Sequence, residues 1–328
     1  MGHGGPMRQS RAFVLTMLLL VPLFCSAAGS PGGSALRDET GPDRIVITAG
    51  TTAGVYFAWA TAVAHELEKA HPSLSVVVLP SSGSIENLAR LENGQADLAV
   101  SANDAAEAQN ERRSAEDGSA DIPLRAIARI YDDYYHVVVP SGSKIRSVTD
   151  LAGLKVAIGD PGSGTALIAR RLLGLAEVSV QEKELGIVDG LNALQKGDVD
   201  AVFWSGGVPT AAIQNAAKRM PIRLLGLGEL PRQMRATYGA VYRPAAIPPG
   251  RYGITQQVDT LALANLLVTR ADADPDMVTT VISTIFARRA AIAAAVPAAN
   301  QTDLRTAILT GGLELHPAAA KYYRQEKL

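Results

Sequence analysis

Four short turns carry most of this chain's polar chemistry. They are Gly50-Thr51-Thr52-Ala53-Gly54, Ser81-Ser82-Gly83-Ser84, Gly159-Asp160-Pro161-Gly162-Ser163-Gly164-Thr165 and Gly206-Gly207-Val208-Pro209-Thr210. Each lies between a β-branched or apolar run and a helical pattern. A turn of this kind presents hydroxyls and free backbone N–H groups at the positive end of a helix, which is a place for a small anion. The competing reading for any one of them is a βα loop that needs glycine only to turn. The arrangement recurs about a hundred residues later in the chain, and the recurrence favours binding.

Other residue types narrow the chemistry. The GDPGSGT turn lacks the Gly-Lys-Ser/Thr ending of a phosphate loop, because Gly164 is followed directly by Thr165. Five histidines (His3, His65, His71, His136, His316) are scattered without metal-ligand spacing. No Gly-x-Ser-x-Gly elbow or His-Glu-x-x-His occurs, and adjacent carboxylates such as Asp132-Asp133 diverge. The chain therefore reads as a binder, not an enzyme, with no metal and no cofactor. Asp104 stays open between two roles: a helix cap together with Glu107, or a partner for an ammonium group. Tyr56 and Trp204, beside the turns, are candidate cleft walls, while Trp59 falls on the buried spacing of a helix. Asn87 and Asn103 are candidate donors or acceptors.

The elements that must position these turns follow from periodicity. Ile45–Ile47 is a buried strand, and Val55, Trp59, Val63 and Leu67 recur at four in an Ala-rich helix over 55–70. Leu74–Leu79, Ala96–Ser101, Lys155–Ile158, Val199–Trp204, Ile222–Leu225 and the run from Thr260 read as further strands. Ser84 with Asn87 resembles a helix start. Arg125–Tyr131 and His136–Val139 are extended, separated by Asp132–Tyr135. Helices are predicted after most of these strands.

Bulk numbers bound the class. At 328 residues, 47% hydrophobic and 19% charged, the chain is globular, with one large or two medium domains. Lys+Arg 31 against Asp+Glu 32 leaves no basic excess for nucleic acid. Residues 1–28 read as a signal peptide: Arg8 and Arg11, an apolar core Ala12–Phe24, then Ser26-Ala27-Ala28. That predicts export to the periplasm, and its removal shifts the net charge to about −3. The only cysteine, Cys25, lies inside it; lipid attachment there is disfavoured by the bulky Phe24. Residues 29–43 are a Gly/Pro/Ser tether.

Two stretches echo each other. Gly94–Glu111 (GQADLAVSANDAAEAQNE) aligns with Gly197–Ala216 (GDVDAVFWSGGVPTAAIQNA), and IVITAGTTAG aligns with KVAIGDPGSG. Two lobes built on the same α/β logic would bring the turns to the carboxyl ends of their strands, around one cleft.

Read in order, these segments resemble the TAXI family of solute-binding proteins that serve TRAP transporters. The resemblance is carried by Thr48–Tyr56 (TAGTTAGVY), Ser81–Asn87 (SSGSIEN), Gly94–Asp97 with Asp104, Gly159–Thr165, Asp200-Ala201 with Gly207-Val208-Pro209, and His316–Tyr323 (HPAAAKYY). Ala53, Ser81 or Ser82, and Ala318 depart from the family pattern. The resemblance implies a two-lobed type II periplasmic-binding fold with hinge strands. Lobe 1 would be 44–134 plus 236–328 and lobe 2 135–235, crossing near Asp133–His136 and Leu225–Tyr238. It also implies a monomer that captures a small organic anion or amino acid, glutamate-like or a dicarboxylate, and delivers it to a TRAP membrane permease. An ATP-driven (ABC) importer or a sensor is the alternative recipient. The ligand residues would be Thr51, Thr52, Gly54, Tyr56, Ser82, Gly83, Ser84, Asn87, Asn103, Asp104, Ser163, Gly164, Thr165, Trp204, Gly206 and Gly207. No arginine lies in these motifs, so a bidentate carboxylate clamp is not expected.

Overall fold

The computed structural model describes residues 1–2, 43–115 and 122–326. The expected signal peptide beyond Gly2, Cys25 included, and the tether up to 42 lie outside the described residues.

The first half runs β1 (Asp43–Thr48), α1 (Val55–Ala70), β2 (Leu74–Leu79), α2 (Ser84–Glu92), β3 (Leu98–Ala102) and α3 (Asn103–Ala115). After β4 (Leu124–Pro140) the second half repeats the scheme. It runs β5 (Lys155–Ala157), α4 (Gly164–Leu175), β6 (Gln181–Lys183), α5 (Ile187–Lys196), β7 (Ala201–Gly206) and α6 (Ala211–Arg219). Then come β8 (Ile222–Leu224), α7 (Leu230–Tyr238), β9 (Arg243–Ile247) and β10 (Val258–Arg270). The chain closes with α8 (Pro275–Ala287), α9 (Arg289–Ala295), α10 (Leu304–Ala307) and α11 (Pro317–Gln325).

All the strands among the described residues join one sheet, ordered β2-β1-β3-β10-β4-β7-β5-β6, with β8 on β4 and β9 on β10. The outer triplets β2-β1-β3 and β6-β5-β7 are parallel, as crossover helices require. The two long middle strands pair antiparallel with each other and with both triplets. The order is thus symmetric about the β10–β4 seam, and the internal echo in the sequence is an echo in topology.

The Gly-x-x-Asp of each repeat has a mechanical role. Asp97 Oδ2 accepts from Val46 N at 2.8 Å, while Asp97 N donates to Val46 O at 2.9 Å. In the second half Asp200 Oδ2 accepts from Lys155 N at 3.0 Å, and Asp200 N donates to Lys155 O at 2.7 Å. Each aspartate fixes the register between the first and third strands of its half, so the turns that follow end level with one another.

α1 buries Trp59, Val63 and Leu67 against β1, β3 and α8, with Val278, Ile282 and Ile285 opposite. Full burial of each such side chain stabilises by about 1.5–3 kcal/mol. α8 and α9 are together apolar enough to pass as a membrane span, but they meet at 71°, and their apolar faces lie in this core.

One expectation needs correcting. Asp132–Tyr135 does not interrupt β4, which runs unbroken through it. Asp is a poor strand residue, but Asp132 is held by Arg129 at 2.7 Å and Arg243 at 2.5 Å, and Tyr135 is buried. Leu225, Leu227, Met234 and Tyr242 pack in the second-half core beside Val137 and Phe203. Along β10, Leu261 and Leu263 join that core, whereas Leu267 joins the first-half core.

Candidate functional site

The four turns do meet. Gly50, Thr51, Gly54 and Tyr56 from the β1–α1 turn, Ser82–Ser84 from the β2–α2 turn, and Ser163–Thr165 from the β5–α4 turn surround one cavity with Trp204, Ser205 and Gly206. The cavity measures about 40 Å³. At about 10–15 Å³ per water it has room for a few solvent-sized groups in this conformation.

Closure rests on small residues. The turns of opposite halves nearly touch: a Cβ added to Gly83 would lie 3.4 Å from Ser163 Cα, and one added to Gly164 would lie 3.2 Å from Ser84 Oγ. Gly83 also has φ +138°, which only glycine adopts at little cost.

Three helices point their N-termini into the cavity: α1 from Gly54, α2 from Gly83 and α4 from Ser163. Their first N–H groups have no intrahelical carbonyl to bond, and each terminus carries partial positive charge. Ser163 Oγ accepts from Ala166 N at 3.1 Å as the cap of α4, and Thr165 Oγ1 accepts from Ser205 N at 3.1 Å. These hydroxyls hold the turn, leaving the backbone N–H groups of Gly164 and Thr165 to face an anion. Ser84 likewise accepts from Ala102 N at 3.0 Å instead of capping α2.

Among the described residues that line the cavity there is no Lys, Arg or His, and there is one acid. That acid is Asp133, 2% exposed, whose Oδ1 has no hydrogen-bond partner within the protein. Burial raises its carboxyl to about 7; Asn265 and Ser205 nearby pull it down, while Asp132 and Asp104 push it up. Thr51 Oγ1, Ser205 Oγ and Asn265 Nδ2 also lack partners. Asn265 Oδ1 accepts from Tyr56 OH at 2.5 Å, and a β-bulge follows Asn265 in its pairing with β4. Bulges of this kind re-aim side chains beside functional sites.

Of the residues expected at the site, Thr51, Gly54, Tyr56, Ser82, Gly83, Ser84, Ser163, Gly164, Thr165, Trp204 and Gly206 line the cavity. Thr52, Asn87, Asn103, Asp104 and Gly207 do not. Thr52 is exposed on the outer side of its turn. Asn87 is a brace, accepting from Thr48 Oγ1 at 2.7 Å and donating to Val100 O at 2.7 Å. Asn103 is buried, its amide beside Gly311 and Glu107. Gly207 lies where a Cβ would meet Val55 and Ala298. Asp104 keeps part of the helix-start role, its Oδ1 accepting from Ala105 N at 2.8 Å in the first turn of α3, while Oδ2 binds Tyr242 OH at 2.5 Å and faces Arg171 at 3.6 Å, tying α3 to the second half.

Asp133, Ser205 and Ala102 also line the cavity, and Asn265 stands behind Tyr56; no motif in the sequence marks them. The available signal was strand alternation. With Asp132 turned to its arginines, Asp133 must face the other way.

The sequence pattern of the NMT1-like family matches residues 47–327. Among solved structures, a protein of Bordetella bronchiseptica RB50 is 17% identical, covers 87% of this chain and 89% of its own, and superimposes with a TM-score of 0.53. The periplasmic aliphatic sulphonate binding protein SsuA from Escherichia coli is 17% identical over 86% of this chain and 79% of its own, with a TM-score of 0.46. A putative L-cystine ABC transporter protein from Listeria monocytogenes is 13% identical over 80% and 98%, with a TM-score of 0.49. The mixed α/β fold is shared with the Bordetella bronchiseptica protein.

Proposed function

This chain belongs to the NMT1-like family, and from that premise we propose that it is an exported receptor that closes on one small polar solute and hands it to a membrane importer. Solute binding is the level at which the family supports the reading. The observation that carries it further is the convergence of three helix N-termini from two halves on a single cavity lined without Lys, Arg or His. Such a site suits an anionic group held by backbone dipoles.

Of the two importer classes that the sequence leaves open, the ATP-driven one has the better support. The NMT1-like match carries nothing particular to a TRAP permease, and the solved structures of related fold include proteins described as ABC-transporter components. The TAXI-type TRAP reading is favoured by one observation, the six motifs in order from Thr48 to Tyr323. The lobe division is proposed as 44–134 with the end of β10 onward, against 135 to the middle of β10, hinging on β4 and β10.

A thermal-shift panel of amino acids, hydroxy acids, dicarboxylates, sulphonates and sugars tests solute binding. A ligand at 100 times its Kd adds about 2.7 kcal/mol. A panel in which only sugars or metal ions shift the melt refutes the reading. Solute uptake with the candidate permease then separates the importer classes: loss on ATP depletion supports the first, loss on collapse of the sodium gradient the second.

A further inference from the structure

We propose that Asp133 is the counter-ion for an ammonium group of the ligand, so that the cleft takes a small α-amino acid zwitterion and rejects the matching dicarboxylate or hydroxy acid. This rests on the solute-binding reading and names the substrate class within it.

Charge placement carries the inference. One side of the cavity is positive through the N-termini of α1, α2 and α4. The Asp133 side chain is enclosed and lines the cavity, its Oδ1 makes no well-formed hydrogen bond, and the side chains near it, Asn265 and Ser205, are neutral. A buried acceptor without a partner is expensive unless something supplies the donor.

On β4 itself, Asp132 is turned away and neutralised by Arg129 and Arg243, and Tyr131 OH is neutral. On α1, Tyr56 is neutral and donates to Asn265. β10 offers Asn265 and β7 offers Ser205 and Trp204, none of them charged. On α3, Asp104 is engaged by Tyr242 and Arg171. No cation of the protein faces Asp133, so the missing positive charge belongs to the ligand.

A dicarboxylate would satisfy the helix ends with one group and set its other charge against Asp133. A zwitterion satisfies both sides. Ser205 Oγ, next to the acid, and Thr51 Oγ1, elsewhere on the cavity wall, are neutral acceptors for the remaining ammonium protons. In the ligand-free protein the raised carboxyl is largely protonated below neutrality, so taking up an ammonium group expels that proton to solvent.

Matched ligand sets on the wild-type protein test this by isothermal titration calorimetry. The sets are L-alanine with L-lactate and propionate, and L-glutamate with 2-hydroxyglutarate and glutarate. The amino member of at least one set should bind 100-fold or more tighter than its partners. Its Kd should tighten between pH 6 and pH 8, approaching tenfold per unit below the Asp133 pKa. Titrations in buffers of different ionisation heat at pH 6 should show release of up to one proton per ligand bound. Asp133→Asn, with folding checked by its melt, should lose 30-fold or more for the amino acid and leave hydroxy-acid binding unchanged or stronger. Equal or tighter binding of the des-amino partners overturns the inference and leaves solute binding standing. So does amino-acid affinity that weakens as pH rises, or binding without proton release at pH 6. Failure of every ligand class to bind overturns the solute-binding reading and the inference with it.

Discussion

Replacing Asp133 with asparagine in the ligand-free protein should stabilise it, by an amount that grows with pH. The carboxyl is enclosed, with its folded pKa about 7 against a reference value of 3.8. Between those two values the folded state holds a proton that the unfolded state has released. Stability therefore falls as pH rises through that window and stays low above it. Each pH unit corresponds to 1.36 kcal/mol, so three units amount to about 4 kcal/mol at pH 8. Full burial means that no solvent discount applies. Asparagine fills the same space and never ionises, so it escapes this cost. For a chain of this size about 2 °C per kcal/mol is expected, giving a Tm gain of roughly 8 °C at pH 8 that shrinks towards zero at pH 4. Scanning calorimetry of both proteins from pH 4 to 8 measures it. A variant that melts below the wild type at pH 8, or a difference that does not change with pH, would refute the assignment of Asp133 as an unpaired buried acid.

Other expectations bear on the frame around the cleft. His136 on β4 is buried beside Tyr252, and burial lowers it to about 4 from 6.5. Its contribution is complete above pH 6.5 and is lost as pH falls through 4, by about 3 kcal/mol, so His136→Gln should flatten that part of the wild-type acid melt profile. A double-mutant cycle of Asp104→Asn and Tyr242→Phe should give a coupling of about 1.5–3 kcal/mol, as for a hydrogen bond to a charged group; denaturant melts that simply add would dissociate the pair. Ser163→Ala should cost about 1 kcal/mol of stability through loss of the α4 cap, whereas Thr51→Val should leave the melt within about 0.5 kcal/mol and weaken ligand binding. Of the two tryptophans, Trp59 is in the core and Trp204 lines the cleft. The ligand-dependent fluorescence change should survive Trp59→Phe and vanish in Trp204→Phe.

The turns were legible because glycine, serine and threonine clusters at strand–helix junctions have local causes, and both lobes use the same ones. The repeat was legible for the same reason: Asp97 and Asp200 sit at equivalent places and make equivalent bonds. Residues whose roles depend on the middle of the sheet were not legible. Asp133 and Asn265 acquire their meaning only when β4 and β10, well over a hundred residues apart, lie side by side. Asp104 looked like a cleft residue because it follows β3. Its fate was decided by Tyr242 and Arg171, which nothing in its own neighbourhood announces. Short elements such as β6, with its three exposed residues, and β9 carry too little periodicity to be read.

The seam between β10 and β4 also sets an order of assembly. Each outer triplet has its own crossover helices and its own aspartate clamp, so the interactions that shape it are local. β10 is the last strand of the sheet in the chain, yet it lies between β3 and β4. Before residues 258–270 are available, β3 and the first part of β4 present unpaired edges, the condition that invites wrong pairing. Contacts of such long sequence separation form late and slowly. Leu263 is the partner that fixes Asp133 in the sheet, so the acid takes up its position in the cavity in the same event that closes the sheet. A chain ending before Val258 would keep two half-built lobes and no binding site, and refolding should recover ligand affinity only in its slowest phase.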